Sequence, residues 1–208
     1  MIPAAKPLIG AEERAAVDAV LASGGLAQGP QVAAFEAEFS TLVGERECVA
    51  VNSGTSALHM ALLALGIGAG DEVIVPSFTF AATANAVALT GATPIFADIE
   101  PNSFCIDPEA VAAAITPRTR AIMPVHLFGQ AADMDAIMRI AGEHDVPVIE
   151  DAAQAIGTED VHGTRVGNRG AFGTFSFFPS KNLGGFGDGG IVTMQDEAHA
   201  QRVGRLRN

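Results

Sequence analysis

Lysine is scarce in this chain: only Lys6 and Lys181 occur among 208 residues, and arginine supplies almost all the remaining positive charge. Lys181 lies in Phe175-Ser-Phe-Phe-Pro-Ser-Lys181-Asn-Leu-Gly-Gly-Phe-Gly-Asp-Gly-Gly190, between an apolar run and a glycine-rich tail. An ε-amine held against apolar surroundings is desolvated, which favours its neutral form and makes it a nucleophile toward carbonyl carbon. That is what a Schiff-base lysine requires. The plainer alternative is a lysine at a loop mouth that extends its ammonium into water. Which reading holds depends on what else the chain offers a carbonyl cofactor.

Several other groups stand where ligand chemistry is done. Asn52-Ser53-Gly54-Thr55-Ser56-Ala57-Leu58-His59 follows a strand and opens a helix. Its backbone N–H groups, its dipole and the hydroxyls of Thr55 and Ser56 make an anion site, although Ser53 or Thr55 taken alone is also an ordinary N-cap. It is not a P-loop, because no Gly-Lys-Ser/Thr follows. Val146-Pro-Val-Ile-Glu150 runs into Asp151-Ala-Ala-Gln154, placing a carboxylate at the carboxyl end of a buried strand, where open α/β sheets bind ligands. Asp151 there can hold a ring N–H⁺ and, if charge-paired, stay ionised; a solvated or capping Asp is the alternative. Phe80 follows another strand end and can cover one face of an aromatic ring, or be a core phenylalanine. Ser176 is a second hydroxyl within reach of a phosphate, or a polar residue on an ordinary strand. His126 reads as structural. The G-x-G-x-x-G from Gly185 to Gly190 is not a dinucleotide fingerprint, since a loop precedes it and a strand follows.

These groups must be carried by an α/β sheet. Apolar β-branched runs alternate with helical segments, which predicts a three-layer α/β/α sandwich with a mostly parallel sheet. Helices are expected at Glu12–Ala22, Gln31–Val43, Ser56–Leu65, Ala81–Leu89, Pro108–Ile115 and Met134–His144, with another beginning at Glu197–Leu206. Strands are expected at Cys48–Val51, Glu72–Val75, Pro94–Ala97, Ala121–Val125 and Val146–Glu150. Ala171–Phe177 and Gly190–Met194 read as two more with no helix between, so part of the sheet is expected to be antiparallel. An apolar content of 49% with 17% charged residues gives a real core, and a net charge of −12 argues against nucleic acid and anionic membranes as partners. No run spans a bilayer and no signal peptide opens the chain, so a cytoplasmic protein is expected. Cys48 and Cys105 have no metal or redox spacing and read as reduced, buried thiols. The chain reads as the N-terminal and central portion of something longer.

The anion cradle, ring face, acidic partner and lysine occur in that order, each near a strand end. With Ser23-Gly-Gly-Leu-Ala-Gln-Gly29, Pro76-Ser-Phe-Thr-Phe80, Val125-His-Leu-Phe-Gly129 and the segments above, the chain resembles the pyridoxal-phosphate enzymes of the aspartate-aminotransferase fold, specifically the DegT/DnrJ/EryC1/StrS sugar aminotransferases. The resemblance covers essentially all of the chain. It implies that Lys181 forms the Schiff base to pyridoxal 5'-phosphate and shuttles a proton, and that Asp151 keeps the pyridine nitrogen protonated. It further implies that Gln154 hydrogen-bonds the phenolic oxygen, that Gly54, Thr55 and Ser176 hold the phosphate with Ser56 in support, and that Phe80 stacks on the ring. The implied reaction moves an amino group from L-glutamate to a nucleotide-linked keto sugar, in a form closer to 3-amination than 4-amination. Lys181 speaks against the family's dehydratase branch, where histidine replaces it. Family members are longer, with a C-terminal small domain, and their active site crosses a homodimer interface. Residues 1–208 are therefore expected to be an N-terminal segment plus most of the cofactor-binding large domain, without the small domain. Two other readings compete: a regulatory protein that binds pyridoxal phosphate without turnover, and another enzyme of this fold, such as a lyase, that needs no nucleotide sugar.

Overall fold

The computed structural model describes residues 5–208. In chain order the elements are α1 (Ala11–Ser23), α2 (Pro30–Leu42), β1 (Glu47–Val51), α3 (Gly54–Ala64), β2 (Glu72–Pro76), α4 (Ala82–Leu89) and β3 (Thr93–Ala97), then α5 (Pro108–Ala114), β4 (Thr119–Ile122), α6 (Met134–Glu143), β5 (Ile149–Asp151), β6 (Phe172–Ser176), β7 (Gly190–Met194) and α7 (Glu197–Arg207). Local chemistry explains many of the boundaries. Pro30 and Pro108 open α2 and α5, where a missing N–H costs nothing. The side chains of Ser53, Asp107, Asp133 and Asp196 cap α3, α5, α6 and α7.

The strands run in the order β1-β7-β6-β5 in one piece and β3-β2-β4 in another. Isolated parallel bridges, Ile122 to Val148 and Val125 to Asp151, join the two into one sheet. Prolines cause the seam. Pro124 and Pro147 sit in the facing segments and accept hydrogen bonds from Asp151 and Ile122, but they have no N–H to return. Hence the strand expected at Ala121–Val125 ends at Ile122, starting earlier at Thr119, and the one expected at Val146–Glu150 begins only at Ile149 and runs on to Asp151. The pairing is parallel except at β7, which runs antiparallel to both β1 and β6. That is the departure expected from two successive strands with no helix between them.

Adjacent strand residues face opposite layers, so Val73 and Val75 enter one core and Ile74 another. The first core is closed by α3, α4 and α7 against Ile149, Phe172, Val192 and Met194. On the other face, α5 and α6 pack over Ile74, Ile122 and Val148, while Phe39 of α2 meets Phe175 edge-on at 5.0 Å. Cys105 is buried as expected, but Cys48 is only half-buried. Burial and then Glu36 push the Cys48 thiol up to about 12, so it carries no thiolate chemistry. Both edges of the sheet are blunted. The N–H of Ala50 on β1 donates to Glu36 Oε1 at 2.8 Å, which also takes Arg207 at 2.7 Å; the opposite edge, β3, contains Pro94.

A buried carboxylate locks the centre of the sheet. Glu150 on β5 accepts from Gly167 N at 2.8 Å, Arg169 N at 2.8 Å, Gly170 N at 2.6 Å and His126 Nε2 at 2.9 Å. Ala132 N donates to His126 Nδ1 at 3.1 Å, so that nitrogen bears no proton and the ring's N–H is the one aimed at Glu150. Burial alone would raise the Glu150 carboxyl, but the His126 bond and the Gly170 and Gly167 amides outweigh it and hold it below the usual range. Glu150→Gln, which sets an amide group against backbone donors, should lower the unfolding free energy at pH 7 by about 3 kcal/mol. The depressed folded value adds stability in full above the unfolded carboxyl pKa, and this stability is lost as pH falls through the folded value. Urea unfolding of the two proteins should therefore diverge at neutral pH and converge in acid; equal stability at pH 7 would contradict the assignment.

Candidate active site

The carboxyl ends of the strands open into a cavity of about 390 Å³ whose lining includes Gly54, Thr55, Phe80, Asp151, Gln154, Ser176 and Lys181. That volume is within the range of small-molecule sites. Of the residues singled out from sequence, Ser56 and His126 lie outside the lining. Ser56 supports it from behind: its N–H donates to the cap Ser53 at 3.1 Å, and Ser53 Oγ donates to its hydroxyl at 3.0 Å. His126 is fully buried in the Glu150 lock.

The β1–α3 turn makes one corner of the cavity. Within α3, Gly54 and Thr55 have no carbonyl four residues back to accept their amides, so these point out of the helix start. Ser176, the last residue of β6, lies against this start because Gly54 has no side chain: a Cβ there would fall 2.7 Å from Ser176 Cβ. A Cβ on Gly190 would collide with the Ser53 carbonyl and the Gly54 amide. Two glycines thus let β6 and β7 press on the helix N-terminus and bring a hydroxyl beside free amides. The result is a compact anion cradle.

Asp151 is almost fully buried at the end of β5, and its side-chain bonds come from Ala153 N at 3.2 Å and Thr83 Oγ1 at 2.9 Å. The donors that the protein itself supplies to this carboxylate are an amide and a hydroxyl, neither of them charged. Burial pushes the Asp151 carboxyl above its ordinary value, and the Ala153 amide, the Thr83 hydroxyl and the more distant His126 and Lys181 only partly oppose this. Adjacent carboxylates on one strand therefore shift in opposite directions.

Gln154 Oε1 accepts the Phe128 N–H at 3.1 Å. A backbone N–H can pair only with the oxygen, so this bond fixes the amide's orientation and leaves its NH₂ as the free group. Phe80 is 69% exposed, which excludes the core alternative and makes it part of the cavity wall. Lys181 is half-buried on the loop after β6, in a turn closed by its own N–H to the Phe178 carbonyl at 2.8 Å. The bonds Phe177 N to Gly189 O and Gly185 N to Phe177 O, both 2.8 Å, tie the base of that loop.

Sequence reasoning missed Thr79, Ser180 and Asp188 on the lining, and Thr83 behind it. Nothing in Ala81-Ala-Thr-Ala-Asn marks Thr83, because its partner lies 68 residues away. Among the described residues, no group of three or more metal-ligating side chains forms and no helix is long and apolar enough to cross a membrane.

The family model of the DegT/DnrJ/EryC1/StrS aminotransferase family matches residues 7–208. The chain is 50% identical over 198 residues to dTDP-3-amino-3,4,6-trideoxy-alpha-D-glucose transaminase of Streptomyces venezuelae, covering 95% of this chain and 52% of that one. It is 53% identical over 180 residues to UDP-N-acetyl-3-dehydro-alpha-D-glucosamine 3-aminotransferase of Acidithiobacillus ferrooxidans, covering 86% and 48%. The crystal structure of S. venezuelae DesV in complex with a ketimine intermediate superimposes with a TM-score of 0.91 at 50% identity, over 95% of this chain and 53% of that one. The chain spans about half the length of the curated relatives it matches.

Gly190→Ala should force the β1–α3 turn away from β7, costing about 1–3 kcal/mol by overpacking and weakening phosphate binding at the cradle. Unfolding and phosphate titration read both effects; a variant equal to the parent in each would show that the close approach is not needed.

Proposed function

We infer the activity from one premise: the chain belongs to the DegT/DnrJ/EryC1/StrS aminotransferase family, whose members depend on pyridoxal phosphate. The protein is proposed to move an amino group from L-glutamate to a nucleotide-linked keto sugar, at the sugar's 3-position. One observation carries the reading: a single cavity gathers an amine, a buried carboxylate, an oriented amide, an exposed aromatic ring and an anion cradle. The names of both relatives described above, each concerned with nitrogen at the sugar's 3-position, support the regiochemistry.

The cavity's own chemistry fits the cofactor. A buried carboxylate raised by burial and lacking a bonded cation suits a pyridinium N–H⁺, whose charge would bring Asp151 back to the anion. The start of α3, with the Ser176 hydroxyl against it, suits a phosphate. In this reading Gly54, Thr55 and Ser176 hold the phosphate and Ser56 braces the turn, while Phe80 covers the ring. The free NH₂ of Gln154 donates to the phenolic oxygen. Lys181 anchors the cofactor through its ε-amine and carries the proton to and from the amino-acid α-carbon. When bound, pyridoxal phosphate supplies the electron sink for the negative charge that develops at that carbon.

Residues 1–208 serve in this reading as an N-terminal segment with most of the cofactor-binding large domain of a cytoplasmic homodimer. The exposed Phe178 on the cavity wall, a surface a partner subunit would cover, supports the dimer.

Borohydride reduction of the protein loaded with pyridoxal phosphate, followed by peptide mapping, tests the site directly. The reduced label is expected on Lys181 and absent from Lys181→Ala. Amino transfer by the full-length protein should fall by about 10²-fold or more in that variant. Label on Lys6, or on neither lysine in folded protein, would sink the assignment.

A further inference from the structure

The Asp151 carboxylate is held from behind by a line of two hydroxyls. Thr83 Oγ1 lies 2.9 Å from Asp151 Oδ2, and Thr79 Oγ1 lies 3.0 Å from Thr83 Oγ1. Thr83 is fully buried on α4, whereas Thr79 lines the cavity. Each hydroxyl has one proton to give. When Asp151 is an anion, Thr83 must donate to it, and its oxygen can then only accept from Thr79. When Asp151 is protonated, the acid proton can donate to Thr83 and the whole line reverses. The direction of both hydroxyls is therefore tied to the charge on Asp151, and one end of the line reaches the cavity wall.

We propose that Thr83 is a positioning residue for Asp151, and that Thr79 and Thr83 together form a hydroxyl relay that favours the carboxylate and leaves its remaining acceptor capacity to the cavity. The inference rests on the aminotransferase reading only for the use made of that carboxylate. Few other groups compete for the role. Ala153 N–H supplies Oδ1, while Lys181 and Asp188 line the same cavity and His126 lies on the adjoining strand end. Neither α4 nor β6 contributes an ionisable side chain. Glu150 is next in the chain, but its oxygens are taken by His126 and the Gly167–Gly170 amides.

The test is read in the cofactor-free chain labelled with ¹³C at aspartate carboxyls, with the Asp151 signal identified from its loss in Asp151→Asn. Thr83→Val keeps the shape and removes the donor, and should raise the Asp151 titration midpoint by about one pH unit. Thr83→Ser should return it close to the parent value, which a purely steric role for Thr83 would not do. Thr79→Val, on the cavity wall and outside the core, should move the midpoint in the same direction by less. An unmoved midpoint in both valine variants, or a serine variant that titrates like valine, overturns the relay. Failure of the cofactor reading would look different: Asp151→Asn would retain pyridoxal phosphate as tightly as the parent, while the cofactor-free midpoints still decided the relay.

Discussion

Glu150 carries a full negative charge inside a sheet, and the fold around it can be understood as the means of satisfying that charge. An ionised carboxyl withdrawn from water is tolerated only with several donors. Here three come from the backbone amides of Gly167, Arg169 and Gly170 and one from His126. Arg46, fully buried at the start of β1, reinforces the same region by donating to the carbonyls of Gly170 and Ala171 at 2.9 Å. One side chain thereby fixes β5 against the segment that leads into β6 and against the strand end that carries His126. Because consecutive strand residues alternate faces, settling Glu150 in the interior directs Asp151 to the opposite side, toward the cavity. The same pleat gives one residue four donors and the other two, which is why burial is outweighed at Glu150 and prevails at Asp151.

The cavity follows from topology and from two absences of side chain. Parallel strands deliver their carboxyl ends, and the loops that leave them, to one edge of the sheet. Antiparallel β7 brings its first residue, Gly190, to that same edge beside the α3 start, where any side chain would collide with backbone. Close approach there is what sets Ser176 next to the amides of Gly54 and Thr55. The proline-interrupted seam between β4 and β5 lies at the same edge. Pro124 accepts the Asp151 N–H and cannot reciprocate, so pairing there continues only through the bond from His126 N–H to the Asp151 carbonyl at 3.0 Å.

Much of this was legible in the sequence because the signals were local. Helical segments alternating with apolar β-branched runs mark the layers, and the missing helix between β6 and β7 announces the antiparallel strand. Lys181, Asp151 and the Ser53–Ser56 turn stood out by type and position at strand ends. What escaped was set by distance along the chain. Thr83 meets Asp151 across 68 residues and Glu150 meets Gly170 across 20, and neither spacing leaves a pattern. His126 was read correctly as structural, but its task of donating to Glu150 required the fold. Pro124 and Pro147 interrupt apolar runs that by length alone predict strands through them, which is why β4 stops at Ile122 and β5 starts at Ile149.

The treatment of the sheet edges has a consequence for how the chain behaves in concentrated solution. An edge strand with free amides is a template on which another chain's strand can grow. On β1 the Ala50 amide is already engaged by Glu36, itself held by Arg207 from the last helix, and β3 presents Pro94, which has no amide to offer. Self-association by strand addition, the route to fibrils and to tangled folding intermediates, is thus obstructed at both ends of the sheet. On β1 that cover comes from α2, and the ion pair to Arg207 ties the same carboxylate to α7, so the helices at the two ends of the described chain guard one edge together.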